Sequence, residues 1–185
     1  MNIATAQADL RRAYLRGGPG AMVSGVVWFV AGTTASYSGV STGFAVLFFG
    51  GMLIFPVASL IPKFLFGREP IADNNPSGLT IIETVFPMIG GLLAAWLLVP
   101  HRPEFVFPVA AIAVGTHYFG FRTAYGDWSN WVLGGMISCV GASSIFLSLP
   151  STDSIPYLVA VIEFAFGGWL TYRSVQSHDS KQASE

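Results

Sequence analysis

Leu79–Pro100 reads LTIIETVFPMIGGLLAAWLLVP, an apolar stretch broken by one carboxylate at Glu83, one proline at Pro87 and the pair Gly90–Gly91. At 1.5 Å of rise per residue it is long enough to cross about 30 Å of hydrocarbon as a helix. An ionisable group in that medium is expensive and persists where it has a partner or a task. A proline frees a backbone carbonyl that some other group must satisfy. Ile155–Val175 repeats the theme, with Glu163 followed by Phe166, Gly167 and Gly168.

Four further apolar runs lie around these two: Ala21–Tyr37, Gly43–Ile61, Phe105–Phe121 and Trp131–Leu149. The six runs predict an all-α polytopic membrane protein with six transmembrane helices. Residues 21–175 form the transmembrane domain, between an amphipathic N-terminal segment (1–20) and a polar tail (176–185), both expected to be cytoplasmic. In the N-terminal segment Ile3, Ala6, Leu10, Ala13 and Tyr14 share one helical face and Arg11, Arg12 and Arg16 lie off it. That pattern predicts a short interfacial helix. Gly17-Gly18-Pro19-Gly20 would end it.

Composition agrees. Of 185 residues, 52% are hydrophobic and 10% charged, with a mean hydropathy of +0.59, whereas a soluble domain carries roughly 25% charged residues. The net charge of −1 offers no basic surface for nucleic acid, so none is expected as a partner. A single cysteine, Cys139, excludes an internal disulfide and gives no zinc spacing. The chain lacks HExxH, GxSxG, a phosphate loop and a dinucleotide fingerprint, so neither an enzyme activity nor a cofactor is expected.

Lysine and arginine give the orientation. With the N-terminus inside, Arg11, Arg12, Arg16, Lys63, Arg68, Arg122, Arg173 and Lys181 fall on the inner side and only Arg102 outside. Eight against one predicts that both termini are cytoplasmic. Three fragments recur at offsets of 80 to 89: Thr34-Ala-Ser-Tyr37 with Thr123-Ala-Tyr125, Gly50-Gly-Met52 with Gly134-Gly-Met136, and Ile82-Glu83 with Ile162-Glu163. Three spans per half would make the halves inverted repeats, an arrangement found among secondary transporters.

The candidate transport or proton-binding residues are Glu163, Glu83 and His117. Counted from the run ends, Glu83 and His117 lie roughly 6–7 Å inside the inner boundary and Glu163 roughly 15 Å. Together they would form a proton or cation path. Arg122 and Arg173 are the cations within reach of Glu83. Pro56 and Pro87 are candidate kinks, and Gly90, Gly91, Gly167 and Gly168 candidate packing positions. Ala21-xxx-Gly25 and Ala31-xxx-Ala35 are small-residue faces, from which a homo-oligomer in membrane lipid is expected.

The stretch Arg12–Gly32, RAYLRGGPGAMVSGVVWFVAG, together with Leu47–Pro56, LFFGGMLIFP, resembles an uncharacterised bacterial family of small multi-span membrane proteins. The resemblance implies a six-span layout in the bacterial cytoplasmic (inner) membrane and supplies no function. Size, span number and the Ala31-xxx-Ala35 face also resemble the solute-binding membrane subunit of energy-coupling transporters. Three functions follow as expectations. The first is a small carrier or channel for protons, another cation or a small solute. The second is a solute-capture subunit, and the third a non-transporting scaffold.

Overall fold

The computed structural model describes residues 1–182, with side chains as far as Ser177; residues 183–185 of the expected polar tail lie outside it. Among the described residues the chain is helical without a strand. Helix α1 (Ile3–Ala13) is short, and Asn2 caps it by accepting from the backbone N–H of Thr5 at 2.9 Å. Six long helices follow: α2 (Gly18–Ser38), α3 (Val40–Phe66), α4 (Ser77–Leu98), α5 (Val106–Tyr125), α6 (Ser129–Leu147) and α7 (Ile155–Gln182). Five of them, α3 to α7, are long and apolar enough to cross a membrane. The expectation of six spans is therefore met by five helices on these measures. Helix α2 has the length, 21 residues, but Ser24, Thr33, Thr34, Ser36 and Ser38 dilute its apolar character.

Several boundaries move outward from the apolar runs. Helix α3 continues to Phe66 and α5 to Tyr125, and α7 runs through residues expected as tail. Each added turn is more polar than the run it extends, so hydropathy alone stops short of it. Pro56 and Pro87 lie inside α3 and α4, and both helices continue through them.

Helix α2 packs along α3 and α7, α5 packs along α4 and α6, and α7 closes the set against α6 and α5. Glycine sets two of these crossings. A Cβ on Gly18 would sit 2.6 Å from the carbonyl oxygen of Gly167, and one on Gly134 would sit 2.5 Å from that of Gly115. Backbones approach so closely only where side chains are absent, which is how helices associate in a solvent as apolar as their own surfaces. The buried core runs through Trp28, Phe44, Leu92, Val106, Leu133, Ile137, Ile155 and Val159. Helices α3 and α4 meet through Phe44, Phe48 and Phe49 around Trp96, with ring centroids 5.1–6.0 Å apart.

The small-residue faces expected to join separate chains are used inside this one. Gly25 lies against Ala160 and Phe164 of α7, and Ala31 and Ala35 receive Gly43 of α3. The opposite face of α2 stays exposed at Met22, Val26, Phe29 and Val30.

Between α1 and α2 the backbone turns sharply. Leu15, Arg16 and Gly17 have φ of 48°, 59° and 83°. For the two non-glycine residues this left-handed region costs roughly 1–2 kcal/mol each, because Cβ crowds the following carbonyl. The surrounding contacts must hold that turn in place.

Candidate functional site

Glu163 lies on α7 between Ile162 and Phe164, where α2 and α5 cross it, and its residue exposure is 0%. Ser24 of α2 and Tyr118 of α5 both donate their hydroxyls to Oε1, at 2.9 Å and 2.8 Å. The other carboxyl oxygen, Oε2, is buried without a hydrogen-bond partner. Three helices far apart in sequence therefore converge on one carboxyl group that is half satisfied. A group left in that condition costs free energy in any buried setting.

Aromatic side chains close the site at both ends. Four residues beyond Ser24, roughly one helical turn, Trp28 is 1% exposed and faces Phe107 at 6.3 Å between ring centroids. Beyond that pair a cleft of about 340 Å³ opens, lined by Gly32, Ala35, Ser36, Val40, Phe107 and Asp153. On the other side Tyr118, Phe121 and Tyr125 form a column along α5, with centroid separations of 5.4 Å and 5.7 Å.

The column ends under α1. Leu10 packs with Ala124 and Tyr125, and the Arg11 guanidinium donates to the carbonyl of Tyr125. Next to it, Asp127 joins three segments. Its Oδ1 accepts from the backbone N–H of Ser129 at 3.1 Å and from the Ser129 hydroxyl at 2.7 Å. Its Oδ2 lies 2.6 Å from Arg16 and 3.8 Å from Arg173. Burial alone would push this carboxyl upward. The two Ser129 bonds and the Arg16 guanidinium outweigh that and hold it below the usual carboxylate range. Asp9 of α1 behaves alike: burial raises it, and bonds from the Ala72 amide, Arg12 and Asn75 bring it below the ordinary value.

The residues expected from sequence separate. Glu163 takes the centre. His117 faces α4 instead, with Nδ1 2.8 Å from Thr84 Oγ1 and its ring against Phe121. Thr84 donates to the carbonyl of Ile81 at 2.7 Å, which leaves its oxygen to accept from the imidazole. Glu83 is exposed on α4 and shares nothing with Glu163. Neither expected cation pairs with Glu83. Arg122 stacks over Trp131 at 5.6 Å, and Arg173 turns to Asp127 and Trp169.

The depths change as well. Tyr118, the neighbour of His117, touches Glu163, so the two lie at one level rather than two turns apart. Of the glycines, Gly91 meets Ala113 and Gly167 meets Gly18, whereas Gly90 and Gly168 face open space.

Sequence reading missed Ser24, Tyr118 and Asp127. Hydroxyl residues are common in apolar helices, and nothing local marks the two that reach an acid 139 and 45 residues away. Asp127 carried a usable signal: it is the lone acid in the nine-residue link 122–130 between two apolar runs, on the side expected to hold the cations. Among the described residues no group of three or more His, Cys, Asp or Glu side chains could hold a metal ion.

No curated protein and no solved structure matches this chain. The model of a family of unknown function, DUF7010, matches residues 3–173, and the chain belongs to that family.

Proposed function

We propose that this protein is a small proton-linked membrane carrier in which Glu163 is the titrating group. One observation carries the reading: a fully buried carboxyl at the crossing of three helices, with two hydroxyl donors on Oε1 and no partner on Oε2. A purely structural acid would be expected to satisfy both oxygens, since packing can select a matching donor. A group that binds and releases a proton or a cation needs one oxygen free at some stage of its cycle. The ends closed by Trp28–Phe107 and by Phe121–Tyr125 are those of a carrier caught shut on both sides.

In this reading α2 is the sixth span, and both termini face the cytoplasm of a bacterial inner membrane, as the cation count requires. Helices α2–α4 and α5–α7 are inverted halves, each opening on a tightly packed antiparallel pair, α2–α3 and α5–α6. Solute would enter from outside through the cleft bordered by Ser36 and Asp153. The solute-capture alternative draws on the same cleft. It loses its docking face, because Ala31 and Ala35 are occupied by Gly43 of the same chain.

The test is purified protein in liposomes with a pH-sensitive dye inside, wild type beside Glu163→Gln. The amide keeps the shape and the acceptor for Ser24 and Tyr118 but carries no exchangeable charge. Wild-type proton flux that vanishes in Glu163→Gln is the expected result. Equal flux in the two would reduce Glu163 to a structural hydrogen bond. A wild-type protein no more permeable than empty liposomes would favour the scaffold.

A further inference from the structure

The geometry points to α1 as a hinged lid that closes the cytoplasmic route to Glu163, latched through Asp127 and swinging at Leu15–Gly17. The inference rests on the carrier reading for its purpose, and on separate contacts for its existence.

Those contacts form three groups. First, α1 covers the end of the aromatic column. Leu10 is 0% exposed against Ala124 and Tyr125, and a Cβ added to Gly17 would lie 3.4 Å from the Tyr125 ring. Second, polar contacts fasten α1 to the end of α5 and to the link before α4. Gln7 donates to the carbonyl of Thr123 at 2.9 Å and Arg11 to that of Tyr125. Across from them Asp9 accepts from Asn75 and from the Ala72 amide at 2.9 Å, while Arg12 donates to the carbonyls of Glu69 and Pro70. Third, Arg16 at the base of α1 bonds Asp127, which Arg173 of α7 also approaches.

Most of these bonds end on backbone carbonyls or at the rim, where water can replace them when they open. A permanently packed helix would more commonly hold its place with apolar area. Here the buried apolar anchors of α1 are Ala6, Leu10 and Ala13. The joint beneath is, among the described residues, the one place where consecutive non-glycine residues hold left-handed φ values, Leu15 at 48° and Arg16 at 59°. Release would let those two residues return to ordinary backbone regions, so the strain favours opening and the latch opposes it. With the lid lifted, Tyr125 and Phe121 stand between water and the Tyr118–Glu163 pair.

The experiment uses the full chain with Cys139→Ala and a reporter thiol at Phe121→Cys, in inside-out vesicles. An impermeant thiol reagent is added, and modification of the peptide holding position 121 is followed by mass spectrometry. Asp127→Asn and Arg16→Gln should each accelerate labelling by roughly ten- to a hundredfold, the effect of losing one charge-assisted hydrogen bond. A second arm adds Asp9→Cys with Asn75→Cys, whose disulfide ties α1 to the link before α4. Oxidised, it should slow labelling at position 121 below that of the unlinked parent, and reductant should restore it. This arm keeps the test alive if the latch variants fold poorly. Labelling that is the same in every variant, oxidised or reduced, would overturn the lid. Labelling that follows the latch, beside equal proton flux in wild type and Glu163→Gln, would overturn the carrier reading and leave the lid standing.

Discussion

Replacing Asp127 by asparagine removes one charge and almost no volume, at a position where three segments of the chain meet. The asparagine keeps an oxygen for Ser129. It loses the ionic contact to Arg16 at 2.6 Å and the longer one to Arg173 at 3.8 Å, and it turns an amide donor toward a guanidinium. A hydrogen bond to a charged group contributes roughly 1.5–3 kcal/mol, and removing one partner of a fully buried pair costs about 3–5 kcal/mol. The Asp127 side chain is 4% exposed, but that of Arg16 is 20% exposed and can turn to water. The cost therefore falls to about 2–3 kcal/mol. For a chain of this size each kcal/mol moves the thermal midpoint by about 2–4 °C, so a drop of about 4–12 °C is expected. Tryptophan fluorescence during heating in one mild detergent would measure it, with Arg16→Gln and the double variant alongside. The double variant should cost less than the two singles added, because the second change removes a charge the first has already stranded. A drop under about 2 °C, or strict additivity, would refute the account. Acid should act in the same direction. The folded-state carboxyls of Asp127 and Asp9 sit below their unfolded values. Their stabilisation is thus complete above about pH 4 and is lost as pH falls through the depressed folded values. Below pH 4 the midpoint should fall more steeply in wild type than in Asp127→Asn.

Three further outcomes are expected. In a Cys139→Ala background an impermeant reagent added outside intact cells should modify a cysteine at Ser154 and spare one at Glu69, and the reverse would invert the orientation. Tyr118→Phe leaves Ser24 as the only donor to Glu163 and should destabilise the protein by about 1–3 kcal/mol, read as a lower thermal midpoint. Gly115→Val should disrupt the α5–α6 crossing, since its Cβ would collide with Ser138 Oγ and lie 2.7 Å from the Gly134 carbonyl, whereas Gly135→Ala meets nothing within 4 Å and should be neutral. Equal midpoints for those two would show that the crossing is looser than drawn.

The helices themselves were legible, because an apolar run of some twenty residues has few other readings. So was Glu163, a lone acid in such a run. Which face of a span turns inward was not legible. The runs are apolar all round, so nothing in α4 tells that Thr84 faces α5 and Glu83 does not. In α1 the apolar stripe at Ala6, Leu10 and Ala13 was visible, but nothing in it showed that Leu10 packs with Ala124 and Tyr125. Contacts such as Arg16–Asp127, 111 residues apart, leave no local trace in either segment.

That same separation has a consequence for how the chain is made. Helix α1 and the turn after it cannot take up all their contacts until Asp127 has been synthesised. At about 5–20 residues per second the wait is roughly 6–22 s. Ser174, which reaches the Arg11 carbonyl at 3.5 Å, comes later still. During this interval Arg11 and Arg16 lack their partners at Tyr125 and Asp127, whereas Arg12 can already meet Asp9 and the carbonyls of Glu69 and Pro70. Only when α7 is in place does Asp127 gain both of its arginines, so closure of this contact reports that α7 has joined the other helices.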